Sequence, residues 1–252
     1  MAINFRSTEE IAKLRAANQM VVAAHERLSE ILAPGISTIE LDREAEKTIL
    51  DLGGKPSFKG YRGFPATLCV AVNDQVVHGI PDGTVLKDGD IVGLDLGVEY
   101  EGYYGDAART LPVGNISDTA KKLLSVTEEA LYKGIEKAVP GGHLSDISHA
   151  VQVHAESAGY SVVTSFVGHG IGTSPHEDPQ VPNYGPPGRG PILRKGMVLA
   201  IEPMVNTGGP EVRVLDDQWT VLTEDGGLSA HFEHSIALVE GGCEILSKFN
   251  VK

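Results

Sequence analysis

Five residues of this chain combine metal-binding side chains with positions on strands that could bring them together: Asp95, Asp106, His169, Glu202 and Glu233. The densest stretch is IVGLDLGVEYEGYYGDAART, from Ile91 to Thr110. It reads as two strands joined by a Glu101-Gly102 turn, a pair suited to a two-residue hairpin. Such a turn puts Tyr100 opposite Tyr103 and Asp95 opposite Ala108. Asp106 is then the diagonal neighbour of Asp95 on the same face. Two carboxylates on an apolar strand pair repel, and burying them without a counter-charge is costly. The register matters, because slipping the turn by one residue would point one aspartate outward.

A second pair of acids repeats the arrangement. In MVLAIEP, Glu202 ends an apolar strand, and Pro203 biases it toward extended geometry. In AHFEHSIALV, Glu233 lies within a strand returning toward the same place. Between them stands SFVGHGIG, where glycines flank His169, and a strand-end imidazole is a good nitrogen ligand. A phosphate-cradling loop is the other reading of that segment. It lacks the following Lys-Ser/Thr and any GxGxxG pattern. Four carboxylates and a neutral imidazole carry four negative charges, which two divalent cations balance. Oxygen-rich ligation with one histidine suits Mn, Fe(II), Co or Zn and does not choose among them. Two such ions would generate a hydroxide and polarise a carbonyl.

These residues need elements to carry them. Ser7-Thr8-Glu9-Glu10 is a capping box, followed by apolar residues at helical spacing until Pro34-Gly35. Ser37-Thr38-Ile39-Glu40 starts a second helix that Gly53-Gly54 closes, and TLCVAV and QVVHG around Asn73-Asp74 read as a hairpin. After Gly114 the order begins again. Ser117 or Asp118 caps a helix running to about Ala138, and Ser145 starts another that Gly159 stops. Pro34 and Pro140 are separated by the same interval as Gly53 and Gly159. Asp95 and Glu202 share with Gly89 and Gly196 an interval one residue longer. The expected fold is α+β: one catalytic domain over 1-252 with an internal repeat, approximately 8-113 and 117-240. Each half has two helices followed by antiparallel strands. The proline-rich residues 175 to 191 read as an irregular rim, and residues 206 to 228 as a strand excursion replacing the tight turn of the first half.

Bulk composition narrows the class. The chain has 252 residues, 41% hydrophobic and 22% charged, enough to bury a sizeable core. A formal charge of -13 argues against binding nucleic acid or an anionic membrane. Cys69 and Cys243 are too few and too far apart for a disulfide framework, which suits a reducing, cytoplasmic setting. The N-terminus has no apolar signal region, and no run approaches membrane-spanning length.

With its surrounding strings NDQVVHGIP, GHGIGTSPHEDP and AHFEH, the five-residue set resembles the dinuclear centre of the methionine aminopeptidases, in particular the type I bacterial form. The resemblance spans nearly the whole chain and implies the pita-bread fold, two pseudo-symmetric halves forming a curved sheet. It also implies removal of N-terminal methionine from nascent polypeptides with a small second residue, by a hydroxide bridging two divalent ions. Asp95 would chelate one ion and His169 the other with Glu202 beside it, while Asp106 and Glu233 bridge. Glu202 would also accept the proton of the nucleophilic water. His78 and His176 match the family's substrate-contacting and transition-state-stabilising histidines, and Tyr61, Phe64, Cys69 and Trp219 match the walls of its methionine pocket.

The expected partners are nascent peptide N-termini, with transient ribosome contact, and the expected state is a monomer. The chain opens at its first capped helix, without the zinc-binding extension of some eukaryotic relatives. It has no large insertion between His176 and Glu233, which speaks against the type II form. It departs from the family's usual pattern at Arg62, Pro175 and His231, all at or near the pocket wall, which leaves side-chain selectivity open. Two rivals follow: a proline-specific peptidase of the same fold, and a metal-free binding protein on the same scaffold.

Overall fold

The computed structural model describes residues 2-249. In the first half, helices α1 (Thr8–Ile31) and α2 (Thr38–Asp51) precede strands β1 (Lys55–Pro56), β2 (Leu68–Val72), β3 (Gln75–Val77), β4 (Ile91–Tyr100) and β5 (Tyr103–Pro112). Both helices start at the expected capping boxes, where a Glu side chain accepts the cap residue's N–H at 2.8 Å (Glu10 for Ser7, Glu40 for Ser37). β4 ladders with β5 along its whole length, and β1 and β2 share its other edge. Leu94, Leu96 and Val98 of β4 are fully buried with Val21 and Leu28 of α1 and Leu41 and Ile49 of α2. Each contributes about 1.5–3 kcal/mol by leaving water. Alternation then turns Asp95 to the opposite face.

The second half repeats the order. Helices α3 (Asp118–Ile135) and α4 (Leu144–Ser157) are followed by β6 (Ser161–Val162), β7 (Gly168–Gly170), β8 (Glu177–Val181) and β9 (Val198–Ile201). Next come β10 (Met204–Asn206), β11 (Val212–Val214), β12 (Val221–Thr223), β13 (Ser229–His231), β14 (His234–Val239) and β15 (Gly242–Ile245). The main sheet runs β15-β14-β9-β7-β8, with β9 and β14 paired antiparallel. The other strands form two three-stranded sheets, β13-β10-β6 and β11-β12-β3, the second of which takes β3 from the first half.

Local expectations fail at a few points, each for a tertiary reason. The chain reverses at Asn73-Asp74, but β2 ladders with β4 and β3 with β12, so the expected hairpin is split between two sheets. Part of the proline-rich rim is strand β8. Pro179 is accommodated because β8 lies at the sheet edge, where a missing N–H breaks no ladder. α4 begins at Leu144, before Ser145, with the N–H of His143 donated to Asp146 at 2.8 Å. α3 ends at Ile135, short of Ala138, in a turn where the Ala138 N–H bonds the Ile135 carbonyl. Glu233 stands in the break between β13 and β14 and not inside a strand. Its N–H bonds instead to the Ala108 carbonyl of β5, at 2.9 Å.

Candidate metal centre and its pocket

The hairpin has the register read from its turn. Tyr100 pairs with Tyr103, Asp95 with Ala108, and Gly97 with Asp106. Glu101 and Gly102 take φ of 51° and 79°, the left-handed pair that a two-residue hairpin turn requires. Asp95 and Asp106 therefore point from the helix-distal face of the hairpin into a cavity of ≈ 390 Å³ that Glu202 and Glu233 also line. His169 joins them from β7, which lies between β9 and the edge strand β8 of the main sheet. Its flanking glycines are needed for that approach. A Cβ on Gly168 would lie 2.4 Å from the Ala200 carbonyl oxygen, and one on Gly170 2.3 Å from that of Asp178.

Ligand atoms of Asp106, His169 and Glu233 all lie within 4.8 Å of one another. His169 Nε2 is 3.4 Å from Glu202 Oε1. Burial pushes all four carboxyls up, Asp95 to about 7 and the others well above the carboxylate range. For Asp106, Glu202 and Glu233 the neighbouring acids add to that effect. Asp95 Oδ1, Asp106 Oδ1 and Glu233 Oε1 are buried without a hydrogen-bond partner. Unpaired buried carboxylate oxygens of this number fit a site for cations. His169 fits the same need. Its Nδ1–H donates to the Gly170 carbonyl at 2.9 Å, which leaves the Nε2 lone pair free toward the acids. Burial lowers its pKa to about 4, so its ring is neutral at neutral pH. The donor set thus fits hard or borderline divalent ions.

The remaining expected residues share this cavity. His176 stacks on Tyr61 with ring centroids 5.2 Å apart and an interplanar angle of 11°, and its centroid is 4.2 Å from that of His169. Burial, with His169, Arg62 and His78 adding like charge, lowers its pKa to about 3. His78, in the left-handed region at φ 59°, presents its ring edgewise to Phe166 and Trp219. Phe64 and Trp219 meet edge to face at 5.1 Å, beside Cys69, which is paired with Asp95 across β2 and β4. Burial and the nearby acids hold the Cys69 thiol protonated.

Of the three departures, Arg62 and His231 line the cavity. His231 is the closer to the acids, with its Nε2 3.8 Å from Glu202 Oε2. Phe58, Phe166, Gln180 and Met204 also line the cavity and were not expected from sequence. An apolar residue beside a strand carries no local sign that it faces a cavity and not the core.

Three comparisons with known proteins agree. The model of Metallopeptidase family M24 matches residues 12–240. A methionine aminopeptidase 1 of Bacillus subtilis is 55% identical over 243 residues, covering 96% of this chain and 98% of the relative. A methionine aminopeptidase of Clostridium perfringens is 54% identical over 97% of this chain and 98% of its own. Among solved structures, a methionine aminopeptidase from Thermotoga maritima superposes with TM-score 0.97 at 46% identity, over 98% of this chain and 100% of that one. A prolidase from Pyrococcus furiosus shares the fold alone, with TM-score 0.79 and 23% identity, and this chain covers 66% of it. The α+β pita-bread fold expected from the sequence is the fold found.

Proposed function

The chain belongs to Metallopeptidase family M24, among its bacterial type I methionine aminopeptidases, and from that membership we propose that it removes the N-terminal methionine of nascent polypeptides with a small second residue. It is a metal-dependent exopeptidase. We assign the whole chain to one catalytic domain of two related halves, acting as a monomer in the cytoplasm during transient contact with the ribosome. One observation carries the substrate reading. The cavity that four carboxylates line is walled by Phe64, Cys69 and Trp219, a soft surface suited to an unbranched thioether.

In this reading Asp95, Asp106, His169, Glu202 and Glu233 would together hold the divalent ions. Bound there, the ions would supply Lewis acidity to the scissile carbonyl and acidify the attacking water. The chain's residues do the rest. Glu202 takes the proton of that water and passes it to the leaving amine. His176, neutral because of its burial, keeps one N–H to donate to the carbonyl oxygen as negative charge develops there. His78 contacts the substrate from beside Phe166 and Trp219, and Tyr61 fixes the plane of His176 by stacking.

Cleavage of Met-Ala-Ser against Ala-Pro peptides, with Mn, Fe(II), Co and Zn added in turn to the metal-free protein, tests the proposal. The expected result is turnover of Met-Ala-Ser alone. Preference for the Ala-Pro substrate would make the enzyme a proline-specific peptidase, and failure to bind any divalent ion would remove the metal centre.

A further inference from the structure

We infer that Arg6 is a positioning residue for His176, acting through Glu177. The inference rests on the role given to His176 above. Arg6 stands in the extended segment ahead of α1, and Glu177 follows His176 directly as the first residue of β8. Arg6 Nη2 donates to both oxygens of the Glu177 carboxylate, at 2.6 and 2.5 Å. The two side chains are only 9% and 10% exposed, so the pair is buried and its charge-assisted bonds are strong.

Glu177 spends its remaining acceptor capacity on the loop leading to His176. Its Oε1 accepts the N–H groups of Thr173 at 2.8 Å and Ser174 at 3.2 Å, and the Thr173 hydroxyl at 3.3 Å. Its Oε2 accepts from Asn4 Nδ2 at 2.7 Å. One carboxylate thus gathers the segment that carries the histidine, and Arg6 holds that carboxylate in place.

Arg6 is itself fixed at both ends. Its backbone N–H bonds the Gly196 carbonyl at 2.7 Å, just ahead of β9. Its guanidinium lies against Gly172, where an added Cβ would fall 2.1 Å from Nη2, so the loop touches it with bare backbone. The Gly172 carbonyl accepts the Tyr104 N–H of β5 at 2.9 Å. The loop before His176 is therefore held between the acidic hairpin on one side and Arg6 on the other. Stacking on Tyr61 sets the plane of the His176 ring, and the clamped backbone sets where along the cavity it stands.

Neither Arg6 nor Glu177 lines the cavity. Any influence of Arg6 on the reaction must pass through residues that do. A displacement of about 1 Å in a catalytic group can cost on the order of 100-fold in rate.

The test is a double-mutant cycle of Arg6→Gln with His176→Ala, assayed on Met-Ala-Ser at saturating divalent metal. The single Arg6→Gln variant should lose about 10- to 100-fold in kcat with KM within about 3-fold of the parent. In the His176→Ala background the same substitution should cost less than about 2-fold, because the group it positions is gone. The ring signals of His176 in the metal-free protein should also move in Arg6→Gln. If Arg6→Gln does not fold, Arg6→Lys, which keeps the charge but not the fork, carries the same cycle.

Equal losses in both backgrounds, or no loss of kcat, would overturn the inference. If His176→Ala alone is fully active, it is the role of His176 that fails, and the inference falls with it. That outcome is told apart from the others by the single variant.

Discussion

The two strand pairs that carry the acids solve one problem in different ways. In the first half, β4 and β5 ladder over ten residue pairs and close in a two-residue turn, so Asp95 and Asp106 are mid-strand residues fixed by their own register. In the second half, Glu202 follows the end of β9 and Glu233 precedes β14, and the chain between them makes four further strands. A local register cannot place residues at such loose ends. Glu233 is placed by β5 instead, and Glu202 by Asn183, whose Nδ2 donates to the Glu202 carbonyl at 3.0 Å. The Glu233 N–H bonds the Ala108 carbonyl at 2.9 Å, and Thr110 Oγ1 both donates to the His231 carbonyl at 2.9 Å and accepts its N–H at 2.8 Å. Ser235 Oγ donates to the Asp106 carbonyl at 2.8 Å. One strand is the template and the other is built against it. Freed from a tight turn, the second half can use its excursion to bring Met204, Trp219 and His231 to the pocket.

If both pairs serve one centre, neutralising a member of either should be equally severe. Asp106→Asn and Glu233→Gln are each expected to lower kcat by at least roughly 1,000-fold, as for loss of a unit of catalytic machinery. Metal content measured on the purified variants should fall with it. Tolerance of one and not the other would break the comparison at its root.

The dependence of the second half on β5 can be broken without touching an acid. Thr110→Val leaves the buried N–H and carbonyl of His231 unpaired, which should cost about 2–3 kcal/mol. Urea unfolding reads this directly, and Thr110→Ser, which keeps the hydroxyl, should recover most of it. A loss of less than about 0.5 kcal/mol for the valine variant, within the range of neutral surface changes, would mean the excursion holds itself in place.

Acid should also act on the template strand through one identifiable group beside it. His25 of α1 is fully buried, and its Nε2–H donates to the Ala107 carbonyl at 2.9 Å, next to Asp106. Burial lowers its pKa from 6.5 to about 4. The unfolded chain therefore binds a proton between those values while the folded chain does not, and stability falls as pH drops through 6.5 toward 4. From pH 7 to pH 5 this one group should cost about 2 kcal/mol. The comparison that isolates it is urea unfolding at both pH values for the parent and His25→Gln. An equally steep pH dependence in the variant would remove His25 from the account.

What could be read from the chain follows the same division. Asp95 and Asp106 were legible because a two-residue turn and a period of two fix a hairpin from within. Glu202 and Glu233 were legible because the first half supplied a pattern to match. The split of β2 from β3, the strand at Pro179 and the break before β14 were not, since each depends on which distant strand is adjacent. Phe58, Gln180 and Met204 were silent for a similar reason, and the Arg6–Glu177 pair more so, being a contact between segments 171 residues apart.

The smallest effect tests what sets the register of the template itself. From sequence, the Glu101-Gly102 turn looks decisive, because a slip there would reverse the aspartates. The structure adds restraints beyond the turn: ten ladder pairs and the bonds from Ala108, Thr110 and Asp106 to the second half. Gly102→Ala forces a Cβ into the left-handed region at φ 79° and should cost about 1 kcal/mol. Because the added Cβ meets no atom within 4 Å, the cost is backbone strain alone. If the ladder and its cross-links hold the register, kcat and metal content should be unchanged while the unfolding midpoint falls. If both fall together, the turn governs the placement of the acids, and β5 is a template only so long as its turn is intact.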